Sequence, residues 1–417
     1  MADKKVYATI FTLAILIGVL VFSPALSQLI SSVTINFVGT IGTPGEGVIA
    51  ESGSMVDIQA AVDEVADMGG GNVYIPAGLW DFVPVGTSWT STNGVRIPAG
   101  VNVFGAQTER TSGLPEPTYG MSPNDQVVEW KTILRIPWDM PSSESPQWPA
   151  FFYITGSGDP NERTRISDIE FSTYRDVDTS CRTKVRGIWL SRVYDFHIDH
   201  CSFSNLAGGA VWAENLPCPG VIDHCRSVNT FGNAKPYGDV DALDYGFFSK
   251  PRSSTSAPLT DFLGTYGDRS VYIEDNYISR WRHTCLTDEG GHMVVRHNTF
   301  NLCLGYGDID LHRNWGRAME IYGNEFTNCL GSDPQRYVAQ MTSGGGVFFD
   351  NHVDGTYQDG CLQITHEAGV TPEWYLWDNL LDSGCGPLVF TGSQYATYSQ
   401  PAGYEPYTYP HPIATEK

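Results

Sequence analysis

The sequence predicts an all-β solenoid in which the chain winds as a parallel β-helix, and three observations carry this. First, a short pattern recurs: an apolar residue, an Asn or Cys three positions later, and another apolar residue two positions after that. Ile198/Cys201/Phe203, Ile273/Asn276/Ile278, Val295/Asn298/Phe300, Ile321/Asn324/Phe326, Phe348/Asn351/Val353 and Leu376/Asn379/Leu381 all fit it. Second, the lead residues 198, 222, 273, 295, 321, 348 and 376 are spaced 24, 51, 22, 26, 27 and 28 apart. A period in this range signals stacked repeat units. The copy at Ile222/Cys225 is poorer, with Ser227 in the third place. The interval of 51 reads as two periods, with one copy hidden in an insertion. Third, the copies are short and β-branched and lack the i, i+3, i+4, i+7 apolar spacing of helical repeats.

Each copy is then one turn of the coil. Side chains alternate between faces along a strand, so the lead residues fall in one inward column. The repeated Asn marks a tight bend, where Asn tolerates the left-handed conformation. Stacked Asn side chains from successive turns are expected to bond each other inside, which satisfies an otherwise costly buried amide.

The chain begins with Lys4, Lys5, an apolar run from Val6 to Phe22 and a small-residue exit at Ala25-Leu26-Ser27. Residues 1–27 read as a secretory signal, or as an N-terminal anchor if they are not cleaved, and both readings place the protein outside the cytoplasm, secreted or at the cell surface. A linker at 28–48, a β-helix domain at 49–412 and a tail at 413–417 follow. Ser54–Ala66 has the apolar spacing of an amphipathic helix with Ser54 as N-cap, a fitting cover for the open end of a coil. Asn72–Gly78 and Gly94–Ala106 read as early strands. The Pro- and Ser-rich segment 109–147 lacks the repeat and reads as a loop excursion, as does 232–268, which holds a strand at Tyr245–Ser249.

Acidic residues outnumber basic ones by 47 to 25, for a net charge of −22. This excludes nucleic acid as a partner and disfavours unaided attraction to an anionic polysaccharide. Nine Cys in an exported chain lead one to expect some pairing. Cys201/Cys225 and Cys303/Cys329 hold equivalent places one turn apart, either as disulfides or as unpaired inward thiols.

The segment DIQAAVDEVADMGGGNVYIPAG resembles the N-terminal cap of the pectin-lyase-like superfamily, and GIWLSRVYDFHIDHCSFSN resembles its repeating turn. The ending GYEPYTYPHP resembles the C-terminus of many exported proteins of this kind. The resemblance covers about Ile49 to Pro412 and implies a right-handed parallel β-helix. It does not select among the lyases, hydrolases, epimerases, spikes and adhesins that share the fold.

Chemistry is expected on the strand before each Asn-bearing strand. Aligning GIWLS, AVWAE, YGFFS, TCLTD and DIDLH sends Trp189, Trp212, Glu214, Phe247, Leu286, Asp288, Asp310 and His312 outward. Rings beside carboxylates suit a sugar groove, because the rings cover the apolar faces of pyranoses. The same rings could instead lie under the 109–147 excursion. Trp189, Trp212, Phe247, Glu214 and Arg313 are thus candidate glycan-binding residues. Asp288, Asp310, His312, Arg282, His283 and Arg317 crowd both charge signs into two turns and form the candidate catalytic set. His200, His224 and His297 sit beside the turn residue and read as structural. The resemblance implies two-carboxylate hydrolysis, proton abstraction beside a uronate with calcium neutralising the substrate acid, or epimerisation of a uronate polymer by a related His/Asp set, of which Asp310-Leu311-His312 is a loose match. Asp308 and Asp310 would then hold the calcium. A polygalacturonase-type motif set is absent, and Lys is too scarce for a Lys base. The expected function is polysaccharide binding with lyase or hydrolase activity; the alternative is a non-catalytic surface or adhesive protein.

Overall fold

A computed structural model describes residues 47–415 apart from 84–92, 107–129, 138–148, 160, 174–184, 207, 216–217, 229–244, 251–269, 280, 282, 288–290, 302–306, 312–317, 328–336, 343, 356–359 and 366–370. The signal or anchor segment therefore lies outside the described residues. Among these, no helix is long and apolar enough to cross a membrane.

The described strands form three all-parallel sheets of twelve, ten and ten strands. Apart from the first strand, Gly47–Ile49, which pairs with the next one, the neighbour of a strand in each sheet is the third strand after it in the chain, so each turn contributes one strand to each sheet. This is a right-handed parallel β-helix. The first sheet carries the lead residues in unbroken register, from Ile198 through Ile222, Ile273, Val295, Ile321 and Phe348 to Leu376. All seven are essentially fully buried. Ile222 pairs directly with Ile273, so the long interval is one turn and hides no further copy. The strand expected at Tyr245–Ser249 is present at Tyr245–Lys250 and supplies that turn's contribution to the second sheet.

The N-terminal end is closed as expected. The helix Met55–Asp67 buries Ile58, Ala61, Val62 and Val65, and Ser54 caps it by accepting from the Asp57 amide. Gln59 accepts from the Arg96 amide at 2.7 Å and donates to the Arg96 carbonyl at 3.1 Å. One side chain thus mimics a strand partner for the edge strand Val95–Pro98, which an exposed edge requires.

The 109–147 segment is not wholly a loop. Thr132–Ile136 is a full strand of the third sheet, between Gly78–Asp81 and Ile169–Thr173. Its alternation of buried Thr132, Leu134 and Ile136 was masked by flanking Pro and Ser, which made the whole stretch read as irregular.

The bend is built differently from the expectation. The left-handed residue is the one before the turn position, which is Asn in the later turns, Cys at 201 and 225 and Ile at 169: Asp168, His200, His224, Asp275, His297, Gly323, Asp350 and Asp378 have φ between 50 and 66°. The Asn itself points inward. Asn298 Nδ2 donates to the carbonyls of Ile273 at 2.8 Å and Arg296 at 2.9 Å and to Asn324 Oδ1 at 3.0 Å. Its Oδ1 accepts from the Asn276 amide at 3.0 Å. The same links join Asn276, Asn298, Asn324, Asn351 and Asn379 into the expected ladder.

Cys201 and Cys225 continue this column as buried thiols, each donating weakly to a carbonyl at 3.6 Å, and they do not form the disulfide weighed above. Among the described cysteines, Cys201, Cys218, Cys225, Cys361 and Cys385 are free thiols. They serve as small apolar fillers, and burial pushes the Cys361 thiol up to about 12. Cys303 and Cys329 lie outside the described residues.

Candidate functional site

The outer face of the second sheet carries one column of side chains along the coil axis. Its register runs Arg96, Tyr153, Trp189, Trp212, position 248, Leu286, position 310 and Gln340. Trp189 and Trp212 face outward from adjacent turns and are half-buried, as expected. Two further groups join them. Tyr153 meets Trp189 edge to face at 5.7 Å, and the Arg96 guanidinium lies over the Tyr153 ring at 4.1 Å. Arg186 covers the Trp212 ring at 3.9 Å. Trp212 Nε1 donates to Glu214 Oε2 at 3.0 Å, fixing the indole against a half-buried carboxylate. Cations over ring faces favour this arrangement by ~0.5–2 kcal/mol each. Burial also lifts the Tyr153 hydroxyl above its ordinary pKa, so it stays protonated while accepting from the Ala150 amide at 2.9 Å. Trp189, Trp212, Glu214 and Arg96 are therefore accessible along a line of turns ~4.8 Å apart, with the buried Tyr153 ring and Arg186 guanidinium packed against the indoles as support.

Phe247 does not belong to this face. It pairs with Val211 and Cys285 and is fully buried in the core. The alignment of YGFFS was one residue out of register, and a slip of one exchanges the two faces of a strand. Phe248 holds the outward register position, opposite Trp212.

No family model matches the sequence, and no curated protein is similar to it. Among solved structures, the chain is similar to an alginate lyase from Paenibacillus sp. str. FPU-7, with 11% identity and a TM-score of 0.43. The match covers 85% of this chain and 99% of that one. It is also similar to the tailspike protein of E. coli bacteriophage HK620 in complex with pentasaccharide, with 13% identity and a TM-score of 0.39. There it covers 82% of this chain and 63% of the tailspike.

Beyond the aromatic column, the backbone brings the remaining candidates together only in part. Asp310 stands opposite Leu286 and Gln340 in the outward register, with Asp308 two residues earlier on the same strand. His283 begins the preceding strand, opposite Tyr245 and Gly307. The pairing of Thr287 with Leu311 ends one residue before Asp288 and His312. Asp288, His312, Arg282, Arg313 and Arg317 lie outside the described residues. Leu286 is fully buried despite its outward position, and so is Thr284 on the same strand. The outer side of this turn is therefore covered, unlike that of Trp189 and Trp212. Among the described residues, no three His, Cys, Asp or Glu side chains gather as a metal would require.

A second polar cluster lies on the first sheet, around the histidines read as structural. Arg165 clamps Asp199 with two bonds of 2.8 Å, and Ser167 Oγ donates to the same carboxylate at 3.0 Å. His197 Nε2 lies 2.7 Å from Asp223 Oδ1. His200 and His224 each place Nδ1 on the preceding carboxylate, at 2.5 and 2.6 Å. Both carboxylates are buried. The Asp-His dipeptides at 199–200 and 223–224 were the sequence signal for this cluster, and their repetition one turn apart was legible as a pair.

Proposed function

We propose that this is an exported β-helix protein whose second sheet binds a polysaccharide along the coil axis. The half-buried pair Trp189–Trp212, flanked by Arg96 and Glu214 and backed by the buried Tyr153 and Arg186, carries this reading. Rings stack on pyranose faces, while the carboxylate and guanidinium groups address hydroxyls or acidic substituents. Local guanidinium groups also offset the net negative charge of the chain, which otherwise repels an acidic glycan.

Cleavage by a lyase or hydrolase route is proposed for the turns beyond, with Asp310 and Asp288 as the acid pair and His312 or Arg317 handling the proton. Arg282 and His283 would line the approach from the preceding loop. Calcium enters the proposal only through Asp308 and Asp310. The buried outer side of Leu286 favours a second reading, in which the aromatic face binds glycan and no cleavage follows.

Purified protein tested on a panel of polysaccharides decides between these. Unsaturated-product absorbance marks a lyase, new reducing ends alone mark a hydrolase, and retention with neither marks a binding protein. Replacing both Trp189 and Trp212 by Ala should abolish retention and leave the melting temperature within a few degrees. Undiminished retention in that variant rejects the aromatic face as the binding site.

A further inference from the structure

The last turn of the coil has no core of its own. Between Leu376 and Tyr404 no residue is buried, and Leu380 and Tyr398 are each 60% exposed. Its strands pair with the turn before them, Leu381 with Val353, Val389 with Leu362 and Ala396 with Trp374. A terminal repeat needs something that covers or fastens it. The helix Met55–Asp67 does this at the other end.

Two cysteines meet at this seam. Cys361 is fully buried and leads into the strand Leu362–Ile364 of the penultimate turn. Its amide donates to the Pro387 carbonyl at 3.0 Å, and the Leu362 amide donates to the Leu388 carbonyl at 2.8 Å. Cys385 stands two residues before Pro387 in the last turn and is only partly buried. The Cys361 thiol hydrogen-bonds to the Cys385 side chain. Cys385 Sγ also lies 3.0 Å from the Val353 carbonyl and 3.2 Å from that of Gly355, both in the penultimate turn. The structure holds the two residues as thiols. Cys201 and Cys225 stack as well, but both are buried inside the inward column, away from any oxidant.

We propose that Cys361 and Cys385 are a disulfide-forming pair that staples the last turn of the coil to the one before it. Both S–H bonds break and one S–S bond forms. The two protons and two electrons pass to an oxidant disulfide such as oxidised glutathione, which leaves as two thiols. Cys385, the more exposed, meets the oxidant first, and Cys361 then displaces it from the mixed disulfide. The thiolate is the reacting form, and burial pushes both thiols up, so closure is faster while the last turn is still docking. The bond closes the loop 361–385 and so restricts the unfolded form of the one turn that lacks a core. Export would supply an oxidant, but the pairing does not rest on that reading, because the oxidant can be added.

The test begins with the whole protein refolded in a mixture of oxidised and reduced glutathione and then alkylated without reduction. No Lys or Arg lies between the two cysteines, whereas Glu367, Glu373, Asp378 and Asp382 do. Digestion at acidic residues followed by mass spectrometry should therefore recover Cys361 and Cys385 in two joined peptides, two mass units lighter than the dithiol. In wild type, prolonged incubation with a thiol reductant should speed amide exchange across 380–397 by about tenfold or more and leave the strand at 292–296 unchanged. Cys385→Ala should show the faster exchange already and should not respond to reductant, a readout that loss of packing alone does not give. Recovery of both residues as alkylated thiols, or of either joined to a different cysteine, overturns the proposal. So does a wild-type exchange pattern that reductant leaves unchanged.

Discussion

Phe247 and the Trp189/Trp212 pair show how one residue of register separates core from surface. Phe247 is fully buried beneath Val211 and Cys285, whereas the two indoles stand half-exposed on the opposite face. Phe247→Ala should therefore cost ~3–5 kcal/mol of stability, read from denaturant unfolding, because it opens a cavity in a packed column. Glycan retention by the folded fraction should not change. Asp223 provides a second residue-scale test. Burial pushes its carboxyl up, but the hydrogen bonds from His197 and His224 outweigh this and hold it below the ordinary carboxylate value of 3.8. A depressed acid stabilises the fold above its unfolded pKa, and that stability is lost as pH falls through the lower folded pKa. The stability gap between wild type and Asp223→Asn should hold from neutrality down to about pH 5 and close as the pH drops below about 4. Urea midpoints across that range measure it.

At the scale of elements, the C-terminal segment from Gly403 to Thr415 is a strap lying back across the first sheet. Its path is fixed one contact at a time. Tyr404 bonds Glu320, Tyr409 donates to Asp275 at 2.7 Å, and the His411 amide donates to Glu274 at 2.9 Å. Ile413 packs with Val221, Tyr272 and Tyr322. Beneath the strap lies a fully buried ion pair, Arg296 Nη2 to Glu274 at 2.6 Å. Arg296 also donates to the carbonyls of Tyr407 and Thr408 at 2.8 and 3.0 Å. Burial lifts the Glu274 carboxyl above its ordinary value even with Arg296 beside it, so desolvation consumes much of the pair's attraction. Breaking such a pair is costly all the same, because the remaining charge is stranded. Arg296→Ala should lower stability by ~3–5 kcal/mol. Removing residues 403–417 should lower it further and expose Tyr272, seen as a rise in bound hydrophobic dye. A truncated chain with the wild-type unfolding midpoint would show that the strap contributes nothing.

Across the whole molecule, each turn touches mainly its neighbours, so stability is close to a sum of adjacent interfaces. Ile321, between Val295 and Phe348 in the inward column, is fully buried. Ile321→Ala should cost ~2–5 kcal/mol. Its effect on amide exchange should be concentrated in the strands at 292–296, 318–322 and 345–349. Uniform loss of protection from the N-terminal helix to the strap would contradict a one-dimensional coil.

The sequence by itself determined the coil, its inward column and the Asn ladder. These depend on local alternation and a period, and every turn repeats the same constraint. The capping helix was equally legible, because its N-cap and apolar spacing lie within thirteen consecutive residues. Only the tertiary structure decided the register of irregular turns. The interval from Ile222 to Ile273 could be read as one turn or two until their pairing was seen, and the face of Phe247 depended on a one-residue alignment. The strand at Thr132–Ile136 was hidden for the same reason, since no repeat spacing connects it to its neighbours. The aromatic face was half legible: alternation marked Trp189 and Trp212, but Tyr153, Arg96 and Arg186 join them only through lateral pairing between turns distant in sequence. The buried side of Leu286 was beyond sequence reading altogether. Alternation says which way a side chain points, and only the folded chain decides what then covers it.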